Sequence, residues 1–222
     1  MDYCVKGLEL DVHLSADGRV MVIHDPTLDR TTNTSGWIGS LSSSQIRKAS
    51  IHGLPLKKSR IPFLEEVLEM ASGKTTLYIE LKKGRTYYPR FEEKVLKVIG
   101  RFQARKWCVL HSFQERILHR LALADNEIPL LLNRNLFPNL VMDPASYLSR
   151  PVFKHPNLKG FNQNFKLLRP RLVTFLQKKG FKVLGWTARS HKDFKEMSIL
   201  GLDGLISDFP FDQDKIQGNN AI

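Results

Sequence analysis

Two short stretches carry groups whose types and spacing could do chemistry. Glu9-Leu10-Asp11 sets two carboxylates two residues apart, and Glu80-Leu81-Lys82 sets a carboxylate and an ammonium at the same spacing. Both stretches alternate in the manner of a strand, on which residues i and i+2 share a face. Glu9 and Asp11 therefore project together, as do Glu80 and Lys82. Three carboxylates from two strands make a hard oxygen site for Mg²⁺ or Ca²⁺. The same charges could instead be interior groups neutralised by Lys82. His24, in His24-Asp25-Pro26, has a side chain suited to moving protons near neutral pH. It could equally be a loop histidine fixed by Asp25. His13 shares the parity of Glu9 and Asp11 but lies beyond them and is assigned no role. His111 and Ser112 close another apolar run. They have no third group to orient them as a catalytic pair.

These residues need a scaffold, and the chain supplies one. Leu8–Leu14 and Val20–His24 flank Asp17-Gly18, a strong hairpin signal. Residues 26–61, rich in Thr, Ser, Gly and Arg, read as an irregular insertion with a short helix near Ser44–Lys48. The hairpin and insertion together cover about 14–61. Pro62 opens a helix over Phe63–Ala71, ended by Gly73. Strands and helices then alternate. Strands are expected at Leu77–Lys82, Trp107–Phe113, Ile128–Asn133, Gly160–Asn162 (weak), Phe181–Thr187 and Gly204–Asp208. Helices are expected at Arg90–Phe102, Gln114–Ala124, Arg169–Lys179 and Ser190–Leu200. Alternation of this kind implies a parallel sheet with helical crossovers. Counting the strand of Glu9, seven strands run parallel, whereas a TIM barrel needs eight.

The order of motifs resembles the glycerophosphodiester phosphodiesterase family. The acidic-x-acidic strand Glu9-Leu10-Asp11-Val12 is followed by Asp17-Gly18, then His24-Asp25-Pro26 and Leu28–Gly36. Ile61–Leu68, Ile79–Lys82, Ser112-Phe113, Gly185-Trp186-Thr187 and Gly201–Pro210 continue the likeness, which spans about residues 7 to 212. The resemblance implies an α/β fold, a TIM (β/α)8 barrel of the PLC-like phosphodiesterase type. It implies metal-dependent hydrolysis of glycerophosphodiesters to glycerol 3-phosphate and an alcohol. By the same resemblance one divalent ion, Mg²⁺ or Ca²⁺, is held by Glu9, Asp11 and Glu80. His24 is an acid/base group and Lys82 holds the phosphate. Trp186 is either a core aromatic or a wall against the glycerol. Asp203 and Asp208 are expected to anchor the last strand.

Family members begin with a strand ending in His-Arg-Gly, and no His-Arg pair precedes Glu9 here. The expectation is a single, incomplete domain over 1–222 that lacks the first strand and most of the first helix. A member lacking that histidine and arginine could be impaired, or could bind metal and phosphodiester without turnover.

Composition narrows the alternatives. The 222 residues include 34 Lys+Arg against 22 Asp+Glu, a net charge of +12 that favours anionic ligands. The basic residues are scattered and form no nucleic-acid motif, so a small phosphodiester is the expected partner, not a nucleic acid. No apolar run is long enough to span a bilayer. No signal peptide is evident, and Cys4 and Cys108 lack metal-type spacing. They are read as free thiols in a reducing, cytoplasmic setting. The oligomeric state is left open.

Overall fold

The computed structural model describes residues 5–53, 60–135 and 148–210. Cys4 lies outside the described residues. The chain divides into two compact units, Gly7–Pro129 and Leu130–Ile222, the latter with Met1–Lys6.

In the first unit the sheet order is β2-β1-β3-β4, built from β1 (Gly7–Leu14), β2 (Val20–Val22), β3 (Thr76–Leu81) and β4 (Cys108–Ser112). β2 pairs antiparallel with β1, whereas β1, β3 and β4 pair in parallel. Gly18 takes φ 81° at the hairpin tip, a conformation open to glycine without strain. Helices α2 (Leu64–Ala71), α3 (Phe91–Arg101) and α4 (Glu115–Ala124) provide the layer around this sheet. Each turns an apolar stripe inward: Val95, Val98 and Ile99 from α3, and Ile117, Leu118 and Leu121 from α4. Phe63 caps α2 from outside the helix, its N–H donating to Glu66 Oε2. The helix ends with Ser72 in the left-handed region at φ 47°, one residue before Gly73.

The stretch expected to be irregular has a core of its own. Leu28, Ile38, Ile46, Ala49 and Ile61 are buried with Met21 of β2, and Ile23, Leu41, Ile51 and Phe63 pack against them. Burying a large aliphatic side chain is worth roughly 1.5–3 kcal/mol, so this cluster fixes the segment as firmly as regular structure would. Its short helix, α1 (Ser43–Ile46), begins against the hairpin tip. Asp17 accepts from the Ser43 N–H at 2.8 Å, the Ser43 hydroxyl at 2.7 Å and the Ser15 hydroxyl at 2.6 Å.

The second unit carries four parallel strands in the order β5-β6-β7-β8: β5 (Leu130–Arg134), β6 (Leu158–Asn164), β7 (Lys182–Ala188) and β8 (Gly204–Ser207). Helices α5 (Pro170–Lys178) and α6 (His191–Ile199) form the crossovers. The strand expected weakly at Gly160–Asn162 is seven residues long. Asp203 anchors the entry to β8, accepting from Gln177 Nε2, Lys182 Nζ and the Val183 N–H. Asp208 pairs with Arg189. The sequence therefore located every described strand and α-helix, with boundaries shifted by a few residues. Among the described residues no helix is long and apolar enough to cross a membrane.

Candidate active site

Strand register gathers the ionisable groups of the first unit. Asp11 is the parallel partner of Glu80, and Glu80 is the partner of His111. Cross-strand partners share a face, so these three side chains form one row across β1, β3 and β4. Glu9 stands two residues before Asp11 on the same face. One ligand atom each from Glu9, Glu80 and His111 falls within a mutual 4.8 Å, near enough for one cation to touch all three. Lys82 lies just beyond the end of β3. Its Nζ is 2.8 Å from Glu80 Oε1 and 3.0 Å from Asp11 Oδ1.

The electrostatics follow from this crowding. Burial pushes the Glu9 carboxyl up to about 8, and the neighbouring Asp11 and Glu80 charges add to the push. Burial likewise raises Glu80, more than Lys82 offsets. Burial works against the charge on Lys82, but Glu80 and Asp11 outweigh it and the ammonium is held above its usual range. Three acidic groups around one ammonium thus resist ionising together, and a divalent cation would favour their ionised forms. The donor set fits such an ion: carboxylate oxygens suit Mg²⁺, Ca²⁺ and Mn²⁺, and the imidazole of His111 adds a nitrogen donor.

His24 follows β2 on the same unit. Its ring is 65% exposed, yet it is held from one side: Nδ1 lies 2.7 Å from Asp25 Oδ1. Arg30 grips the same carboxylate through Nε at 2.6 Å and Nη2 at 2.9 Å. Arg30 chiefly, with His24, holds the Asp25 carboxyl down at about 2, so it stays an acceptor. Nδ1 of His24 is therefore the donor, and Nε2 is the nitrogen presented for exchange. His13 is fully buried, with Nδ1 at 2.8 Å from the Tyr88 hydroxyl and Nε2 at 3.2 Å from the His24 carbonyl oxygen. Burial lowers its pKa to about 4, which keeps the ring neutral near pH 7.

The structure thus brings together Glu9, Asp11, Glu80 and Lys82, as their spacing predicted. His24 is on the same unit, bound to Asp25. The half-buried Trp186 belongs to β7 of the second unit. His111 was missed, because its membership depends on the β3–β4 register, which nothing in the sequence fixes. Its neighbour Ser112 is occupied structurally. The Ser112 hydroxyl donates to the Leu81 carbonyl and accepts from the Gln114 N–H.

An open row of carboxylates, a lysine and an imidazole on parallel strands defines a class of α/β protein, one with a site suited to a divalent cation beside an anionic group. The comparisons narrow it. Residues 2–211 match the sequence model of the glycerophosphoryl diester phosphodiesterase family. The chain is 33% identical over 218 residues to a glycerophosphodiester phosphodiesterase of Caldanaerobacter subterraneus, covering 95% of this chain and 85% of that one. It is 33% identical over 211 residues to a glycerophosphodiester phosphodiesterase of Bacillus altitudinis, covering 92% and 83%. An Oleispira antarctica phosphodiesterase, solved with the product sn-glycerol-3-phosphate, shares the fold at a TM-score of 0.77 and 24% identity, covering 97% of this chain and 85% of that one. This chain belongs to the glycerophosphoryl diester phosphodiesterase family.

Proposed function

We propose that the chain hydrolyses glycerophosphodiesters to glycerol 3-phosphate and an alcohol, in a metal-dependent reaction on a TIM-type barrel scaffold. The observation that carries this reading is the Asp11–Glu80–His111 row with Glu9 beside it and Lys82 bridging two of its carboxylates. The family relatives named above support the substrate class. Glu9, Asp11 and Glu80, with His111, would hold the cation, which when bound draws charge from the phosphoryl oxygens.

The chain's own groups have separable tasks. Lys82 presents an ammonium to a phosphate oxygen, exchanging part of its contact with Glu80 and Asp11 for the substrate. His24 moves a proton at Nε2. Its Nδ1 is committed to Asp25, so a proton gained at Nε2 is stabilised and can be returned to the departing alkoxide. Water adds to phosphorus, the ester P–O bond breaks, and the alcohol leaves with the proton.

The test is turnover of glycerophosphocholine by the purified chain, read as glycerol 3-phosphate with a coupled dehydrogenase. Turnover with added Mn²⁺, Mg²⁺ or Ca²⁺ is expected, with a loss on the order of 10²–10⁴ in His24→Ala. Metal-dependent binding of glycerophosphocholine without product would replace hydrolysis by a binding role.

A further inference from the structure

The Tyr88–His13 pair is a part-buried polar contact that none of these steps uses. A carbonyl oxygen can only accept, so the 3.2 Å contact to the His24 oxygen places the proton of His13 on Nε2. The neutral ring then offers Nδ1 as an acceptor, and the Tyr88 hydroxyl at 2.8 Å is its donor. The direction of the chain is fixed: Tyr88 donates to His13, and His13 donates to the main chain of His24.

The surroundings hold both members in place. The Tyr88 ring meets His13 edge-on at 5.8 Å and 83°, and Phe91, the first residue of α3, at 5.2 Å and 71°. On its other sides it lies against two glycines. A Cβ at Gly39 would fall 2.8 Å from Tyr88 Cε1, and one at Gly84 would fall 2.5 Å from the hydroxyl. The ring therefore occupies space that only glycine leaves, between the short turn Ile38–Ser40 of the insertion and the loop after β3. A tyrosine wedged this tightly is a fixed point to which the His13 ring is tied.

We infer that Tyr88 and His13 form a positioning relay for His24, fixing its main chain while Asp25 and Arg30 fix its ring. His24 follows a three-residue strand and its side chain is largely exposed, so little packing sets its position. The two anchors together define where Nε2 stands relative to the carboxylate row. Misplacement of a reacting group by about 1 Å can cost on the order of a hundredfold in rate. Neither Tyr88 nor His13 touches the reacting atoms in this account, and both act through His24. The inference rests on the acid/base role proposed for His24.

The test uses Tyr88→Phe, His13→Leu and His13→Gln in the full chain. A glutamine amide reaches the same carbonyl as Nε2 does and restores the donor. The expected result is a fall in kcat of about ten- to a hundredfold in Tyr88→Phe and His13→Leu. KM for glycerophosphocholine and Mn²⁺ affinity by calorimetry should stay near wild type, and His13→Gln should recover most of kcat. Long-range ¹H–¹⁵N spectra of histidine-labelled protein, assigned with His24→Gln, give a readout that needs no turnover. The His24 ring signals should shift or broaden in Tyr88→Phe and return toward wild type in His13→Gln. Unchanged His24 signals in Tyr88→Phe and His13→Leu would overturn the relay. So would parallel losses of kcat, KM and Mn²⁺ affinity, which mark a merely structural pair. A wild-type chain without turnover that still shows these spectral shifts would instead remove the hydrolytic reading and leave the relay standing.

Discussion

Strands β1, β3 and β4 carry ionisable side chains, whereas the buried polar groups of β5 and β6 are amides. In the first unit Lys82 pairs with both Asp11 and Glu80, His111 Nε2 lies 3.6 Å from Glu9 Oε1, and His13 bonds to Tyr88 and to the His24 carbonyl. In the second unit the buried polar residues on the described strands are Asn133, Asn162 and Gln163. Neither amide atom of Gln163 has a hydrogen-bond partner among the described residues. The difference teaches where charge can be handled. A carboxylate network responds strongly to a cation or a phosphate, while buried amides offer only neutral hydrogen bonds worth about 0.5–1.5 kcal/mol each.

Chelation should break this comparison most sharply. Stripping divalent ions with EDTA is expected to abolish glycerophosphocholine turnover, and returning Mn²⁺ to restore it. Lys82→Met should follow, with kcat lowered by about 10²–10³ while the protein remains folded by circular dichroism. His111→Gln sharpens the metal half of the comparison. It removes the nitrogen donor, so calorimetry should show Mn²⁺ binding weakened about tenfold and Mg²⁺ binding changed much less. An equal loss for both ions would mean that His111 supports the row without ligating.

The smallest effect concerns the hairpin tip. Burial pushes the Asp17 carboxyl upward, but the Ser15 hydroxyl and the Ser43 hydroxyl and N–H together outweigh it and hold the group at about 2. A depressed pKa adds stability above the unfolded value near 3.8, and that stability is lost as pH falls through about 2. Asp17→Ala should therefore cost about 1 kcal/mol at pH 7, the worth of a helix cap. The gap to wild type in denaturant midpoints should close by about pH 2.

Much of this was legible before any coordinates. Strand parity alone put Glu9 with Asp11 and Glu80 with Lys82, because alternation is local and has period two. The Asp17-Gly18 hairpin was legible for the same reason. Register was not legible, since it depends on how two distant strands align, and so His111 was given no place in the site. The 26–61 segment was read as irregular because its apolar residues follow neither strand nor helix spacing. Leu28, Ile38, Ile46 and Ile61 nevertheless converge on Met21 in a closed cluster. β6 read weakly because Asn162 and Gln163 interrupt its apolar run, although both are buried within a parallel sheet.

The central claim is that the carboxylate row of the first unit does the phosphodiester chemistry. ³¹P NMR of glycerophosphocholine, incubated with Mn²⁺ and either wild type or Glu80→Gln, tests it most directly. The account predicts conversion to glycerol 3-phosphate by wild type and a rate lower by at least about 10³ in Glu80→Gln, a scale set by charge stabilisation in a water-poor site. A Glu80→Gln chain that turns over at the wild-type rate would contradict it.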